Sequence, residues 1–490
     1  MARVFIISNR VSVPSPDRGV RAGGLEVALR ATLKRHDCVW MGWSGEVRPK
    51  ADVETRTIKK GGMTYIVTDL SEDDYQEYYN GYANSVLWPI LHYRLDLAEF
   101  SRRDLTGYFR VNQHFADEVD KVLKPDDVVW VHDYHLFPLA KALRERGRRN
   151  RIGFFLHIPF PPPEFLTAMP GHERLIPALG QYDLVGFQTD GDGANFARYL
   201  ANECGMPTHI SRGPPGDSRA MRIGSFPVGV ETRELQQTAA KSMQTAFVQK
   251  VVRSMPGEGI IGVDRLDYTK GINLRIDSFE HFLVSRPDWR GRVTYLQITP
   301  KSRSEIQGYE QMEHQLEAAA GRINGGYGDV SWTPMRYVNR AYSRNALTGL
   351  YRAARVALVT PLRDGMNLVA KEYAASQDPE NPGVLILSRF AGAAAEFSRG
   401  ALIVNPYDTE AVGIAIARAL EMPLVERQQR HKTLFDALLR NDIAQWGDRF
   451  LADLAPETFG PTEEADEFKA AQPELVLAPD RKESPSETRH

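Results

Sequence analysis

Two fixed cations five residues apart, Arg265 and Lys270, stand in the stretch Asp264-Arg265-Leu266-Asp267-Tyr268-Thr269-Lys270-Gly271. Arginine supplies a fork of donors and lysine a point charge, a combination suited to a diphosphate. The same loop could equally be solvated surface in which Asp267 neutralises both. A second stretch, Arg363-Asp364-Gly365-Met366-Asn367-Leu368-Val369-Ala370-Lys371-Glu372, joins an Asp-Gly turn to the start of a helix. Amides at a helix start face anions, and Glu372 one turn on could accept from ribose hydroxyls; alone it would more often be a surface carboxylate. Ser302-Arg303-Ser304-Glu305 has capping-box spacing, which would put Arg303 at the first helical position, its charge adding to the helix dipole. Arg10 follows the first strand, and Gly23-Gly24 precedes a helix where backbone N–H groups can approach an anion. Aromatic side chains crowd residues 69–93, with Tyr75, Tyr78, Tyr79, Tyr82, Trp88 and Tyr93. Such rings cover the apolar faces of sugars, although most rings in any protein are core. No single motif carries a function. Five junctions that all furnish phosphate- or sugar-directed groups are harder to dismiss, because their innocuous explanations must all hold together.

Other signatures fail on inspection. Gly191-Asp192-Gly193-Ala194-Asn195-Phe196 resembles a dinucleotide fingerprint, but Phe196 stands where a small residue is needed. Asp190-Gly191-Asp192 could be a metal-holding Asp-x-Asp, but Asp and Gly are also ordinary turn residues. Gly42-Trp43-Ser44-Gly45 is one residue short of a nucleophile elbow. In His132-Asp133-Tyr134-His135, two histidines three apart without further ligands suit polar packing or a substrate contact better than a metal.

The elements that must position these residues alternate along the chain. Apolar runs at 3–8, 128–132, 151–157, 184–188, 260–263, 293–298, 355–360 and 384–388 read as strands covered on both faces. Amphipathic stretches such as 25–34 separate them, a pattern of parallel sheets with helices on both sides. The expected fold is α/β, with two doubly wound Rossmann-like domains. The change of domain is expected at 254–259, where Pro and Gly follow a helix and precede a strand. The division is 1–253 and 254–440, then a helix over 441–460 returning to the first domain, and a disordered tail over 461–490. That tail holds eight acidic and four basic side chains. The whole chain of 490 residues carries 61 Lys plus Arg against 63 Asp plus Glu, a net charge of -2 that argues against a general nucleic-acid binder. With mean hydropathy -0.39 and no long apolar run, no membrane span or signal peptide is expected. Cys38 and Cys204 are too few for a disulfide framework or a thiolate zinc site. A cytoplasmic protein is the expectation.

Taken in order, these motifs resemble a known family. Ser8-Asn9-Arg10, Ala22-Gly23-Gly24-Leu25, Gly42-Trp43-Ser44-Gly45, Trp130-Val131-His132-Asp133-Tyr134-His135-Leu136 and Leu156-His157-Ile158-Pro159-Phe160-Pro161 are similar to those of α,α-trehalose-phosphate synthases (UDP-forming). So are Arg265-Leu266-Asp267-Tyr268-Thr269-Lys270-Gly271 and Leu362-Arg363-Asp364-Gly365-Met366-Asn367-Leu368, and the likeness runs from about residue 3 to residue 455. The resemblance implies a retaining, metal-independent transferase of the GT-B type, with its active site between two Rossmann-like domains. It would move glucose from UDP-glucose to glucose 6-phosphate without a cofactor. The family pattern would place Arg10, Tyr79, Trp88 and Arg303 around the acceptor, with Trp43 and Asp133 on its sugar. Gly23, Gly24, Arg265, Lys270, Tyr342, Leu368, Val369, Ala370, Lys371 and Glu372 match donor-side positions, with Asp364 on the transferred glucose. Asp133, His157, Arg265 and Lys270 are the expected catalytic groups, and Trp88 with His157 the positions tied to choice of anomer. Arg336 departs from the apolar residue the family often shows there, at no position given a role. GDP-glucose as donor, or glycerol 3-phosphate as acceptor, is the alternative. Two small-molecule partners and a homo-oligomer complete the expectation; no Asp-x-Asp-x-Thr motif of a fused phosphatase occurs.

Overall fold

The computed structural model describes residues 3–11, 13, 29, 36–206, 221–301 and 309–460. Strands form where apolar residues run consecutively, because each must be covered on both faces. Eight belong to a first sheet: β1 (Val4–Arg10), β2 (Cys38–Arg48), β3 (Thr55–Lys60), β4 (Met63–Ser71), β5 (Val128–His132), β6 (Ile152–Phe155), β7 (Leu184–Phe187) and β8 (Arg222–Ser225). Their order is β3-β4-β2-β1-β5-β6-β7-β8, parallel except that the edge strand β3 runs antiparallel to β4. A second sheet holds β9 (Glu258–Val263), β10 (Val293–Ile298), β11 (Met335–Val338), β12 (Val356–Val359), β13 (Val384–Ser388) and β14 (Leu402–Val404), in the order β11-β10-β9-β12-β13-β14. All its pairs are parallel. The fold is therefore α/β with two parallel, Rossmann-like sheets, the class the sequence pattern implies.

Helices needed below are α1 (Arg102–Asp120), α2 (Asp190–Cys204), α3 (Ala246–Arg253), α4 (Ile272–Ser285), α5 (Arg344–Ala353), α6 (Leu368–Ser376), α7 (Leu424–Arg440) and α8 (Ile443–Leu454). In each sheet the chain first moves one way from a central strand and then returns to its other side. The reversals fall between β1 and β5 and between β9 and β12, and open α/β sheets bind ligands at the carboxyl ends of such strands. Arg10, Asp133 and the stretches 264–271 and 360–368 emerge at these four ends.

The chain crosses between the sheets twice, side by side. Thr232 N donates to Asp442 Oδ2 (3.2 Å), and Thr232 Oγ1 donates to Leu438 O (3.3 Å). A Cβ on Gly229 would stand 1.9 Å from Asn441 O, so only glycine lets the two crossings touch. Beyond the return, α8 lies on the first sheet. Phe450 stacks on Trp130 at 4.6 Å, and Trp446 Nε1 donates to Phe226 O (3.1 Å).

Some segments differ from the sequence expectation. The strands expected over 151–157 and 355–360 are shorter, because His157 and Thr360 already belong to the loops at the strand ends. Residues 42–45 lie within β2, so they form no strand-to-helix elbow. The helix expected over 25–34 falls outside the described residues except for Leu29, and the tail 461–490 falls outside them entirely. No helix of the described residues is long and apolar enough to cross a membrane.

The Asp190-Gly191-Asp192 stretch is turn chemistry. Thr189 caps α2 by accepting from Asp192 N (3.2 Å), and Asp192 turns inward, where Oδ1 accepts from Phe160 N (2.9 Å). Phe196 fills the space beside it, 5.4 Å from Phe160. Burial raises the Asp192 carboxyl to about 6 in spite of these bonds. Because the native state then binds its proton more tightly than the unfolded chain, native stability is undiminished below the unfolded carboxylate pKa and falls as pH rises through about 6. Asp192→Asn, which retains the acceptor oxygen, should raise Tm relative to the parent at about pH 8 and by much less at about pH 4. A Tm difference independent of pH would contradict this.

Candidate active site

The second sheet supplies one wall through loops braced from below. Asp267 caps the turn Tyr268–Lys270, its Oδ1 accepting from Thr269 N (3.0 Å) and Thr269 Oγ1 (2.8 Å). Beneath the loop, Arg275 of α4 is wholly enclosed. It pairs with Asp264 (2.7 Å) and donates to Thr360 Oγ1 (2.9 Å) and to the Lys270 carbonyl (3.2 Å). One buried guanidinium thus ties the end of β9 to the end of β12. The Lys270 ammonium is consequently delivered to Asp364 Oδ2 (2.5 Å), which also accepts from Asn367 Nδ2 (3.0 Å). Burial would raise the Asp364 carboxyl, but Lys270, with Asn367, holds it below the usual range. Asn367 Oδ1 caps α6 through Ala370 N (3.1 Å).

The opposite wall comes from the first sheet. Trp88 follows a π-helix, Tyr75–Leu87, whose wider turn places Tyr75 against Tyr79 (5.6 Å, stacked) and Tyr79 against His135 (5.9 Å, stacked). Irregular windings of this kind concentrate at functional sites. Trp43 packs on the same group, 5.5 Å from Tyr79, and the Arg10 guanidinium lies 5.5 Å from the Trp43 ring. Asp133, directly after β5, accepts from Tyr134 N (3.1 Å). His157, two residues beyond β6, pairs with His132 at 3.1 Å.

The walls meet. The Arg265 guanidinium is 4.8 Å from the Trp88 ring and bonds Asp267 Oδ2 (3.2 Å). Arg363 is sandwiched between Tyr93 (3.9 Å) of the first sheet's side and Phe390 (4.9 Å) of the second. A Cβ on Gly365 would lie 2.3 Å from the His157 carbonyl oxygen. His92, which bonds Trp88 O (2.7 Å), is pushed down to about 4 by burial, although the nearby Asp267 pulls it upward. Burial also lowers His157 to about 3. Uncharged imidazoles therefore face the cations and carboxylates of the second wall at neutral pH. Among the described residues, the three non-glycine positions with left-handed φ are Tyr93 (64°), Asp133 (75°) and Asn367 (77°), and all three stand here. Strain held in this way is characteristic of ligand sites.

Of the expected site residues, Arg10, Trp43, Tyr79, Trp88, Asp133, His157, Arg265, Lys270 and Asp364 line this junction. Glu372 lies on α6, its carboxyl raised by burial and drawn back by Arg344, whose Nε is 4.0 Å from Oε1. Arg344 is itself held by Glu231 (2.7 Å). Tyr342 packs 5.6 Å from Phe247 of α3. Leu368 and Val369 are half-buried and Ala370 is buried. The Lys371 side chain turns away: Nζ donates to Val228 O (2.8 Å) and pairs with Glu396, so it braces the crossover and only its backbone is near α6's first turn. Gly23, Gly24 and Arg303 lie outside the described residues. Sequence reasoning missed Arg275, His92 and Arg344, and it named Tyr93 only as one ring of the aromatic cluster, not as the partner of Arg363.

The sequence profile of glycosyltransferase family 20 matches residues 15–456. The trehalose-6-phosphate synthase of Sinorhizobium fredii (strain NBRC 101917 / NGR234) is 52% identical over 458 residues, covering 93% of this chain and 98% of that protein. The crystal structure of a UDP-forming α,α-trehalose-phosphate synthase from Burkholderia xenovorans in complex with glucose-6-phosphate has a TM-score of 0.88 at 44% identity, over 92% of this chain and 100% of that one. An E. coli structure bound with UDP-2-fluoro glucose has a TM-score of 0.86 at 45% identity, over 92% of this chain and 99% of that one. A profile spanning most of the chain and relatives matched almost end to end lead to one conclusion: this chain belongs to glycosyltransferase family 20.

Proposed function

We propose that the chain transfers glucose from UDP-glucose to glucose 6-phosphate with retention of configuration, giving α,α-trehalose 6-phosphate and UDP, without a metal ion. The observation that carries this reading is the pairing of Lys270 with Asp364 beside Arg265, where the walls of the two sheets meet. Cleaving the bond from anomeric carbon to phosphate leaves positive charge on the sugar and negative charge on the UDP β-phosphate. Arg265 and Lys270 stabilise that leaving group as preplaced cations, supplying what a divalent ion would otherwise provide. Asp364 accepts from hydroxyls of the transferred glucose, and Glu372 from the ribose. Arg10, Tyr79 and Arg303 bind the acceptor phosphate, with Trp43, Trp88 and Asp133 around its sugar.

Retention follows from attack on the face from which UDP departs. The electron pair of the old bond goes to the β-phosphate oxygen, the acceptor oxygen bonds the anomeric carbon, and the acceptor's proton passes to the departing phosphate. The carboxylates at this junction support this route: Asp364 is held by Lys270 and Asn367, and Asp133 by a backbone amide, so neither is presented as a free nucleophile. A glycosyl-enzyme trapped on any Asp or Glu would contradict it. Relatives at 44–52% identity, one bearing glucose-6-phosphate, support the same substrates over GDP-glucose or glycerol 3-phosphate.

The test is nucleotide release from UDP-glucose and GDP-glucose with glucose 6-phosphate, and from UDP-glucose with glycerol 3-phosphate, each with and without EDTA. The first pair should dominate and survive the chelator; preference for another pair, or loss of activity in EDTA, would overturn it. Arg344→Met removes the charge that holds Glu372 down, so its carboxyl should shift further upward. The donor KM should rise about tenfold, the worth of one charged hydrogen bond, with little change in the acceptor KM. Equal changes in both would remove Glu372 from the donor side.

A further inference from the structure

We propose that His132 sets the tautomer of His157, so that His157 presents Nδ1 to the cleft as a hydrogen-bond acceptor and not as a proton donor. His132 Nδ1 and His157 Nε2 are 3.1 Å apart. A bond at that distance needs one proton on the axis, since two N–H groups or two lone pairs would repel. Burial drives both rings neutral, His132 further lowered by His157 itself. Each ring then carries one proton, and the bond runs in one of two directions.

The far nitrogen of His132 decides which. Its Nε2 is enclosed and makes no hydrogen bond. Trp130 (4.6 Å), Trp446 (6.3 Å) and Phe155 (6.5 Å) surround the ring. The Trp130 indole nitrogen is also enclosed without a hydrogen bond, so it donates none to Nε2. An N–H among aromatic rings is attracted to their negative faces, whereas a lone pair is repelled by them. His132 therefore keeps its proton on Nε2 and accepts at Nδ1, and His157 donates from Nε2. That leaves His157 Nδ1 unprotonated. Among the described residues no group bonds it, and His157 is half-buried, with Gly365 packed against its backbone carbonyl and not its ring.

An acceptor fixed there suits a sugar hydroxyl, an assignment that rests on the function proposed above. His132 reaches no substrate and is a positioning residue: it chooses which face of His157 chemistry the cleft sees. The choice also bars His157 from acting as a general acid, which fits a reaction whose proton travels from acceptor to leaving phosphate.

Two-bond proton–nitrogen correlation spectra of the full chain carrying 15N-histidine test the tautomer directly, with His157 assigned by the signal lost in His157→Gln. The expected pattern is a protonated Nε2 and an unprotonated Nδ1, persisting from about pH 5 to about pH 8. A protonated Nδ1 or a doubly protonated ring would overturn the inference. These spectra need no substrate, so they stand whether or not glucose is transferred. His132→Asn keeps an acceptor near the Nδ1 position, and His132→Phe removes it. His132→Phe should give a mixture of His157 tautomers and a kcat about tenfold lower at little-changed KM, the worth of one hydrogen bond. His132→Asn should restore the single tautomer and most of the rate. Equal loss in both variants with the His157 signals unmoved would overturn the positioning role, and the parent spectrum remains decisive if His132→Phe does not fold.

Discussion

Lys270→Met lowers kcat by roughly two to three orders of magnitude at saturating substrates, the loss expected when one preplaced charge is removed from a leaving group. Arg265→Ala should have a comparable effect. The two differ in what they do to the fold. Arg265 stands partly in solvent against Trp88 and Asp267, so its removal should barely move Tm. Lys270 and Asp364 form a largely buried pair, 13% and 14% exposed, and Lys270→Met leaves the carboxylate with Asn367 as its remaining partner. Breaking a buried pair on one side costs up to about 3–5 kcal/mol, and this pair, open to the cleft, falls toward the lower end. Combining Lys270→Met with Asp364→Asn should recover most of that stability and none of the turnover. Recovery of turnover would make Lys270 a support for Asp364 and not a group acting on the leaving phosphate. UDP release and thermal melts on the four proteins separate these outcomes.

Gly365→Ala should reduce kcat/KM by about a hundredfold, the scale of loss when reacting groups are misplaced by about an ångström. The new Cβ would stand 2.3 Å from the His157 carbonyl oxygen and 2.8 Å from the Ile158 Cα. Those are backbone atoms of the loop just beyond β6, so no side chain can turn aside. The walls can accommodate the methyl group only by parting, which takes Asp364 away from His157. Stability should fall by about 1–3 kcal/mol, as for other overpacked sites, so the activity loss would not be an unfolding effect. Gly321→Ala is the control: nothing lies within 4 Å of its Cβ in the helix Tyr309–Tyr327, and it should be neutral or slightly stabilising. Near-parental activity of Gly365→Ala would show that the walls need not touch.

The class of fold was legible because strands covered on both faces must be apolar on consecutive residues, and β1, β5, β9 and β13 are. The strands β2, β3 and β4 were not: Thr55–Lys60 is mostly polar at a sheet edge, Cys38–Arg48 becomes polar midway, and Met63–Ser71 buries the polar Thr68, Asp69 and Ser71 among its apolar residues. At the site, Arg265, Lys270 and Asp364 could be read from loops whose charge and glycine content suit phosphates and sugars. Their mutual placement could not. Arg275 reads as a helix residue like any other, yet it binds the ends of two strands from beneath. Nothing local marks Tyr75–Leu87 as a π-helix, and nothing in His132-Asp133-Tyr134-His135 tells which histidine faces His157. Such relations arise between residues distant in sequence, where spacing carries no information. Lys371 illustrates the converse: it belongs to a recognisable stretch, but its side chain serves the crossover at Val228.

If this cleft moves a glucosyl group with its configuration kept, the product carries the same anomeric configuration as the donor. The most direct test is the NMR spectrum of the product formed from UDP-glucose and glucose 6-phosphate, recorded during turnover so that the newly formed linkage is seen before any rearrangement. Two α-anomeric signals of an α,α-linked disaccharide phosphate are expected, appearing in step with UDP. A β-anomeric signal at the transferred glucose, or UDP released with free glucose and no disaccharide, would contradict it.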